Sequence, residues 1–214
     1  MVRFLSKGSA LSFVALLTAC GGQARSSEVA PRGLPLPTAG FSGSRVTVFP
    51  LTLLVASASL DWSDSIGERE QALRTADEMI ARSLTSRNPE VDWVLPAELR
   101  RGASRAPGML ANPDRLGTPV LRSPAVDQLP DPLFSQMRAL VGVVGSRFAL
   151  VPASLFFVPP EGDTLGRGGV AELTLVLVDV RTGLIRWRNV SVGQGASPWD
   201  ALESALRSLN PDLP

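Results

Sequence analysis

The most regular hydrophobic pattern in the chain lies in Gly169–Gly195, GVAELTLVLVDVRTGLIRWRNVSVGQG. In its first half Ala171, Leu173, Leu175 and Leu177 share one face of a period-two pattern, while Val176, Val178 and Val180 share the other. Apolar residues on both faces predict a central strand that is covered on each side. Beyond it, Arg181-Thr182 suits a type I turn, and Gly183 suits the left-handed bulge position that closes a three-residue hairpin loop. The returning run alternates Ile185 and Trp187 with Arg186 and Arg188, which predicts a strand with one solvated face.

Taken in order, the remaining pattern supplies partners for this hairpin. Arg45–Val55 predicts a first strand, with Pro50 implying an edge position or a bulge. Ile66–Ser86 carries Leu73, Ala76, Ile80 and Leu84 at helical spacing. The preceding Asp61-Trp62-Ser63-Asp64-Ser65 reads as helix-start capping rather than as a cation site. Val91, Trp93 and Leu95 alternate in a second strand, and Pro96 can begin a short helix through Arg101 because its missing N–H is not needed there. Gly102–Pro130 is dotted with Pro and Gly and lacks periodicity, so it is expected to be a long loop, either functional or mobile, with mobility the expectation. Asp131-Pro132 is expected to cap a helix with Leu133, Phe134, Met137, Leu140 and Val141 on one side, followed by a strand at Phe148–Val158 interrupted by Pro152. Pro159–Gly168 forms a long hairpin tip. Ser197-Pro198-Trp199-Asp200 is a capping box opening a last helix, with Trp199, Leu202, Leu206 and Leu209 on its apolar side. The expected fold class is α/β with α+β character: one mixed sheet carrying helices, with a late antiparallel meander.

Ahead of this domain the pattern changes. Met1–Lys7 holds two positive charges, Ser9–Leu17 is a short apolar run, and Leu17-Thr18-Ala19-Cys20 follows. The layout is that of a secretory signal peptide, too short to span a bilayer stably. Its end resembles the lipobox of bacterial lipoproteins. That resemblance implies cleavage after residue 19, lipid attachment at Cys20, and membrane anchorage through acyl chains worth about 0.8 kcal/mol per buried CH₂. Gly21 after the cysteine implies, by the same resemblance, the outer membrane. Residues 20–43, rich in Gly, Ser and Pro, are expected to be a tether, and residues 44–214 a single domain.

Composition narrows the chemistry. The 214 residues include no His, no Tyr, a single Lys at Lys7 and a single Cys at Cys20. Histidine triads, histidine-ligated zinc, lysine Schiff bases and phosphate loops with their lysine are therefore not available to the processed chain. Removing Arg3 and Lys7 from the 21 basic residues leaves 19 against 20 acidic ones, and this near balance, without a basic run, argues against nucleic acid. Neither a cofactor nor a metal site is expected.

The motifs that remain are modest. Gly193-x-Gly195 reads as a strand exit, because Pro198 occupies the third glycine position of a dinucleotide turn. Gly166-Arg167-Gly168-Gly169 reads as a hairpin tip rather than an anion nest. Glu98, Glu161 and Glu172 have no spacing that nominates a catalytic pair. Arg186 and Arg188 flanking Trp187 form either a solvated strand face or a partner-binding stripe with cation–π character.

The opening Val46-Thr47-Val48-Phe49-Pro50-Leu51, then Trp93-Val94-Leu95-Pro96-Ala97-Glu98-Leu99, and then Asp179 to Trp187 resemble the α/β domain of envelope lipoproteins. That group includes the curli-secretion lipoprotein, the penicillin-binding-protein activators and the amino-terminal domain of the Tol-system propeller protein. The resemblance implies a non-catalytic factor that binds an envelope protein or self-associates. Pore formation is not expected, since no further pair of membrane-length alternating strands is present. The alternatives are a carboxylate-dependent glycan hydrolase and a small-ligand sensor using a cleft under Gly102–Pro130.

Overall fold

The computed structural model describes residues 36–161 and 168–209. The leader, Cys20 and most of the tether lie outside the described residues, as do residues 162–167 of the hairpin tip and the last five residues. The strands are β1 (Arg45–Val48), β2 (Leu54–Ala56), β3 (Asp92–Val94), β4 (Phe148–Val158), β5 (Gly169–Asp179) and β6 (Leu184–Gly195). The helices are α1 (Ser63–Ile66), α2 (Arg69–Arg87), α3 (Pro96–Ser104), α4 (Leu133–Val144) and α5 (Pro198–Leu209). The sheet runs β3-β1-β4-β5-β6, with β2 also paired to β4. β1 is parallel to β3 and β4, whereas β4, β5 and β6 form an antiparallel meander. The fold is the expected single mixed sheet with helices packed on it.

Both faces of β5 are buried, as its two apolar rows require. Leu173, Leu175 and Leu177 join α2 and α5 in one core, where Ala76, Ile80, Leu202 and Leu206 are buried. Val176, Val178 and Val180 join α3 and α4 in the other, with Leu99, Met137 and Leu140. Phe157 sits edge-on to Trp62 at 5.6 Å and to Trp199 at 6.4 Å, which ties β4 to α1 and α5. Each such pair adds about 0.5–1.5 kcal/mol beyond its burial.

Several expectations are corrected. The first strand is broken at Pro50 into β1 and β2, and β1 lies inside the sheet rather than at its edge. Proline has no N–H for the ladder, so pairing along β4 lapses there and resumes at Leu54. The long helix starts at Arg69, because the preceding turn ends at Gly67, whose φ is 68°. No side chain of the Asp61–Ser65 cluster caps α1, although Asp64 lies in its first turn. Neither does a side chain cap α4 at Asp131-Pro132. Leu36 and Phe41, inside the expected tether, pack on the domain: Leu36 is buried in the first core, and Phe41 meets Phe148 edge-on at 4.7 Å. At the last helix the capping box is present, with Asp200 N–H donating to Ser197 Oγ at 3.2 Å.

The β5–β6 turn carries a direct test. The register pairs Asp179 with Leu184, so the loop has four residues rather than three. Gly183 has φ 76°, and a Cβ there would also lie 3.2 Å from the Phe134 ring. Gly183→Val is expected to destabilise the domain by more than about 1 kcal/mol, since a β-branched residue resists the left-handed region. An unchanged melting temperature would show that the turn does not impose that conformation.

Candidate functional site

The residues that sequence reasoning singled out, Arg186, Trp187 and Arg188, lie at the start of β6. They do not form one stripe. The register passes from Leu177↔Trp187 to Val178↔Ile185, leaving Arg186 as an extra residue in a β-bulge. The bulge puts Ile185 and Trp187 on opposite faces instead of the same one. Trp187 is 8% exposed in the α2/α5 core, and Ile185 packs at the margin of the other core.

Arg186 remains half exposed and leans towards Asp179, with Nη2 to Oδ2 at 3.5 Å. Asp179 is covered by side chains and accepts from Arg147 Nη2 at 2.6 Å and from the Arg181 N–H at 3.1 Å. These interactions, the Arg147 hydrogen bond foremost, hold its carboxyl below the usual carboxylate range. The cluster thus secures the strand ends around the hairpin turn.

Arg188 serves the loop. Its Nε donates to the Leu121 carbonyl at 3.0 Å, and its other nitrogens reach the carbonyls of Pro124 and Val126. Burial lowers the guanidinium below its ordinary value. The segment Gly102–Pro130 is consequently packed on the sheet along much of its length. It continues α3, makes 3₁₀ turns at Pro113–Arg115 and Thr118–Arg122, and buries Leu116, Leu121 and Leu129 against the second face of the sheet. Without a period, its hold on the sheet comes from scattered apolar residues and from an arginine 60 or more residues away in sequence.

Beyond Arg188 that face of β6 opens to solvent. Val190 and Val192 are 41% and 47% exposed. The register sets Val55, Phe156, Glu172 and Val192 side by side across β2, β4, β5 and β6. Val55 is 41% exposed, and Phe156 is half-buried beneath the Arg122 guanidinium, 5.4 Å from its ring centre. Among the described residues, the outer edge of β6 is met at its start, by Gln128 and by the Asp127 carbonyl. An exposed edge beside outward-facing valines is a surface suited to an extended partner.

Sequence reasoning missed Val190 and Val192 because valine is ordinarily a core residue, although alternation from Trp187 sets both on the outward row with Arg188. Here the inward positions are Asn189, Ser191, Gly193 and Gly195, because α5 lies almost on the strand backbone. A Cβ on Gly193 would fall 2.7 Å from the Ala201 carbonyl oxygen and still closer to Ala205 N. The Gly-x-Gly pair ends the strand, as expected, and also seats the helix.

A second cluster also escaped notice. Asp77, 4% exposed on α2, accepts the Leu51 N–H at 2.8 Å through Oδ1 and Arg100 through Oδ2. Arg100 also binds Asp114 Oδ1 at 2.7 Å. Burial pushes the Asp77 carboxyl up to about 6, against the opposing hydrogen bonds from Leu51 and Arg100. At Arg100 pairing prevails: burial alone would lower it, but Asp114 and Asp77 together hold it above its ordinary value. Both oxygens of Asp77 are engaged, so the cluster reads as a clamp between α2, α3 and the β1–β2 break. Of the glutamates weighed earlier, Glu98 stands on α3 and Glu172 on β5.

No protein-family model matches the chain, and no curated protein is significantly similar to it. Among solved structures, the chain is similar to the LpoB C-terminal domain from Salmonella enterica, at 18% identity and TM-score 0.42, covering 72% of this chain and 84% of that one. It is similar to PelC from Paraburkholderia phytofirmans, solved as a dodecamer, at 14% identity and TM-score 0.41, covering 84% and 92%. Lipoprotein GNA1162 from Neisseria meningitidis is similar at 15% identity and TM-score 0.35, covering 72% and 82%.

Proposed function

We propose that the protein is a lipid-anchored envelope factor, attached through Cys20 and facing the periplasm from the outer membrane, which binds another envelope protein without catalysing a reaction. The observation that carries the binding role is the exposed β6 row of Val190 and Val192 beside an open strand edge. Arg186, half exposed, stays at the hairpin end of the strand beside Asp179, while Trp187 and Arg188 hold the strand from within. The anchor rests on the basic residues, apolar run and Leu17-Thr18-Ala19-Cys20 of the leader.

In-cell photo-crosslinking from position 192, followed by mass spectrometry, tests the reading. A discrete envelope protein, or a second copy of this chain, is expected from position 192 and not from Arg138 on α4. Val192→Asp is expected to abolish capture by a partner probed from position 190. In the same cells Cys20→Ala is expected to remove palmitate labelling and release the protein from membranes. Equal capture from both positions would overturn the surface, and persistent membrane fractionation of the Cys20 variant would overturn the anchor.

A further inference from the structure

A cleft of about 500 Å³ lies where the first turns of α2, α3 and the 3₁₀ turn at Pro113–Arg115 meet. That volume is in the range of small-molecule sites. It is remote in the sheet order from β6, since β4 and β5 stand between. Its wall is unusually rich in arginine: Arg69, Arg74, Arg100 and Arg115, against the carboxylates of Glu70 and Asp114.

The four guanidiniums are not equally committed. Arg100 is fixed between Asp77 and Asp114. Arg74 pairs with Glu70 at 3.0 Å, but both side chains are mostly exposed, and such pairs exchange readily for a better partner. Arg69 holds no carboxylate; it donates to the Thr52 carbonyl at 3.0 Å and the Leu54 carbonyl at 3.5 Å. Arg115 makes no ion pair or hydrogen bond through its side chain among the described residues. No side chain caps the first turn of α2, whose Arg69 and Glu70 line the cleft, so the positive end of a 19-residue helix adds to the field there. Excess positive charge and planar guanidinium forks around one half-open cleft together define a receptor for negatively charged oxygens.

We propose that this cleft binds a small oxyanion ligand, phosphate or carboxylate, through Arg69, Arg74 and Arg115, with Arg100 held in place beside them. The site is independent of the β6 surface. Protein binding at β6 can fail while this one stands, and the reverse.

Inorganic phosphate and citrate serve as probes, each titrated into the purified full chain at constant ionic strength set with sodium chloride. A saturable rise in melting temperature is expected for at least one probe, and which one responds identifies the oxyanion. Arg115→Gln and Arg69→Gln are each expected to weaken the response at least tenfold in concentration, whereas Arg138→Gln on α4 leaves it unchanged. Arg115 is exposed and unpaired, so its variant retains the fold, and its unliganded melting temperature checks this. A rise that never saturates, or one that persists in both cleft variants, is a general salt effect and overturns the proposal. Absence of any response to either probe overturns it as well.

Discussion

Gly193→Ala is expected to unseat α5 and cost more than about 3 kcal/mol, the upper range for forcing an atom into a packed interior. The added methyl has nowhere to go. Its Cβ would lie 2.5 Å from the carbonyl carbon of Ser204 and 2.7 Å from the Ala201 oxygen, both backbone atoms that no rotamer change can move. The helix must lift as a body. Lifting would strip burial from Leu202, Leu206 and Leu209, each worth about 1.5–3 kcal/mol. It would also pull apart the bonds that join helix to strand, where Ser191 Oγ donates to the Ala205 carbonyl and Ser208 Oγ to the Val192 carbonyl at 3.0 Å. The expected readouts are a melting temperature lower by roughly 10 °C and faster proteolysis within α5. Gly142→Ala is the control. It stands on α4 with nothing within 4 Å of the added carbon, and it should be neutral or stabilise by up to about 1 kcal/mol. A Gly193 variant within about 0.5 kcal/mol of the parent would mean that α5 does not sit on β6.

The same glycines show why part of this molecule was legible in its sequence and part was not. β4 and α5 begin and end where apolar runs, Ser197 and Pro198 place them, and β5 is buried on both faces as its two rows demand. Those features depend on local pattern alone. The orientation of β6 does not, because it depends on how closely a helix approaches and on one bulge at Arg186. The bulge moves Ile185 to the face opposite Trp187, and the close approach of α5 admits only small or polar residues inward, so Val190 and Val192 fall on the outward row with Arg188 and went unrecognised. Gly102–Pro130 looked unstructured because its hold on the sheet comes from scattered apolar residues, a few backbone bonds and a distant arginine. A signal for Asp77 was present: it lies one turn from both Leu73 and Ile80, on the stripe that α2 buries. A carboxylate on a buried stripe announces a partner, but nothing local names Arg100, and nothing foretells the arginine-lined cleft around it.

That buried carboxylate yields a second large effect. Asp77→Ala is expected to cost about 3 kcal/mol, because it leaves the Leu51 N–H without an acceptor and Arg100 with a single carboxylate. Wild-type protein should also gain stability as the pH falls from 7 to 5. The Asp77 carboxyl lies at about 6 in the fold against 3.8 when free, so the folded chain binds the proton more tightly. A raised carboxyl is a liability when charged, and protonation relieves it. Linkage gives a gain on the order of 1 kcal/mol over that interval. No histidine exists to contribute in this window. Asp179 works in the opposite sense, but its carboxyl is held below 3.8 and its contribution is lost only at more acid pH. Denaturant unfolding of the parent and of Asp77→Asn at the two pH values separates the cases: the parent should gain stability, and the variant should lose that slope. Stability that falls from pH 7 to 5 in the parent would mean that the arginine outweighs burial, and that Asp77 is held as a charged partner rather than against its solvation.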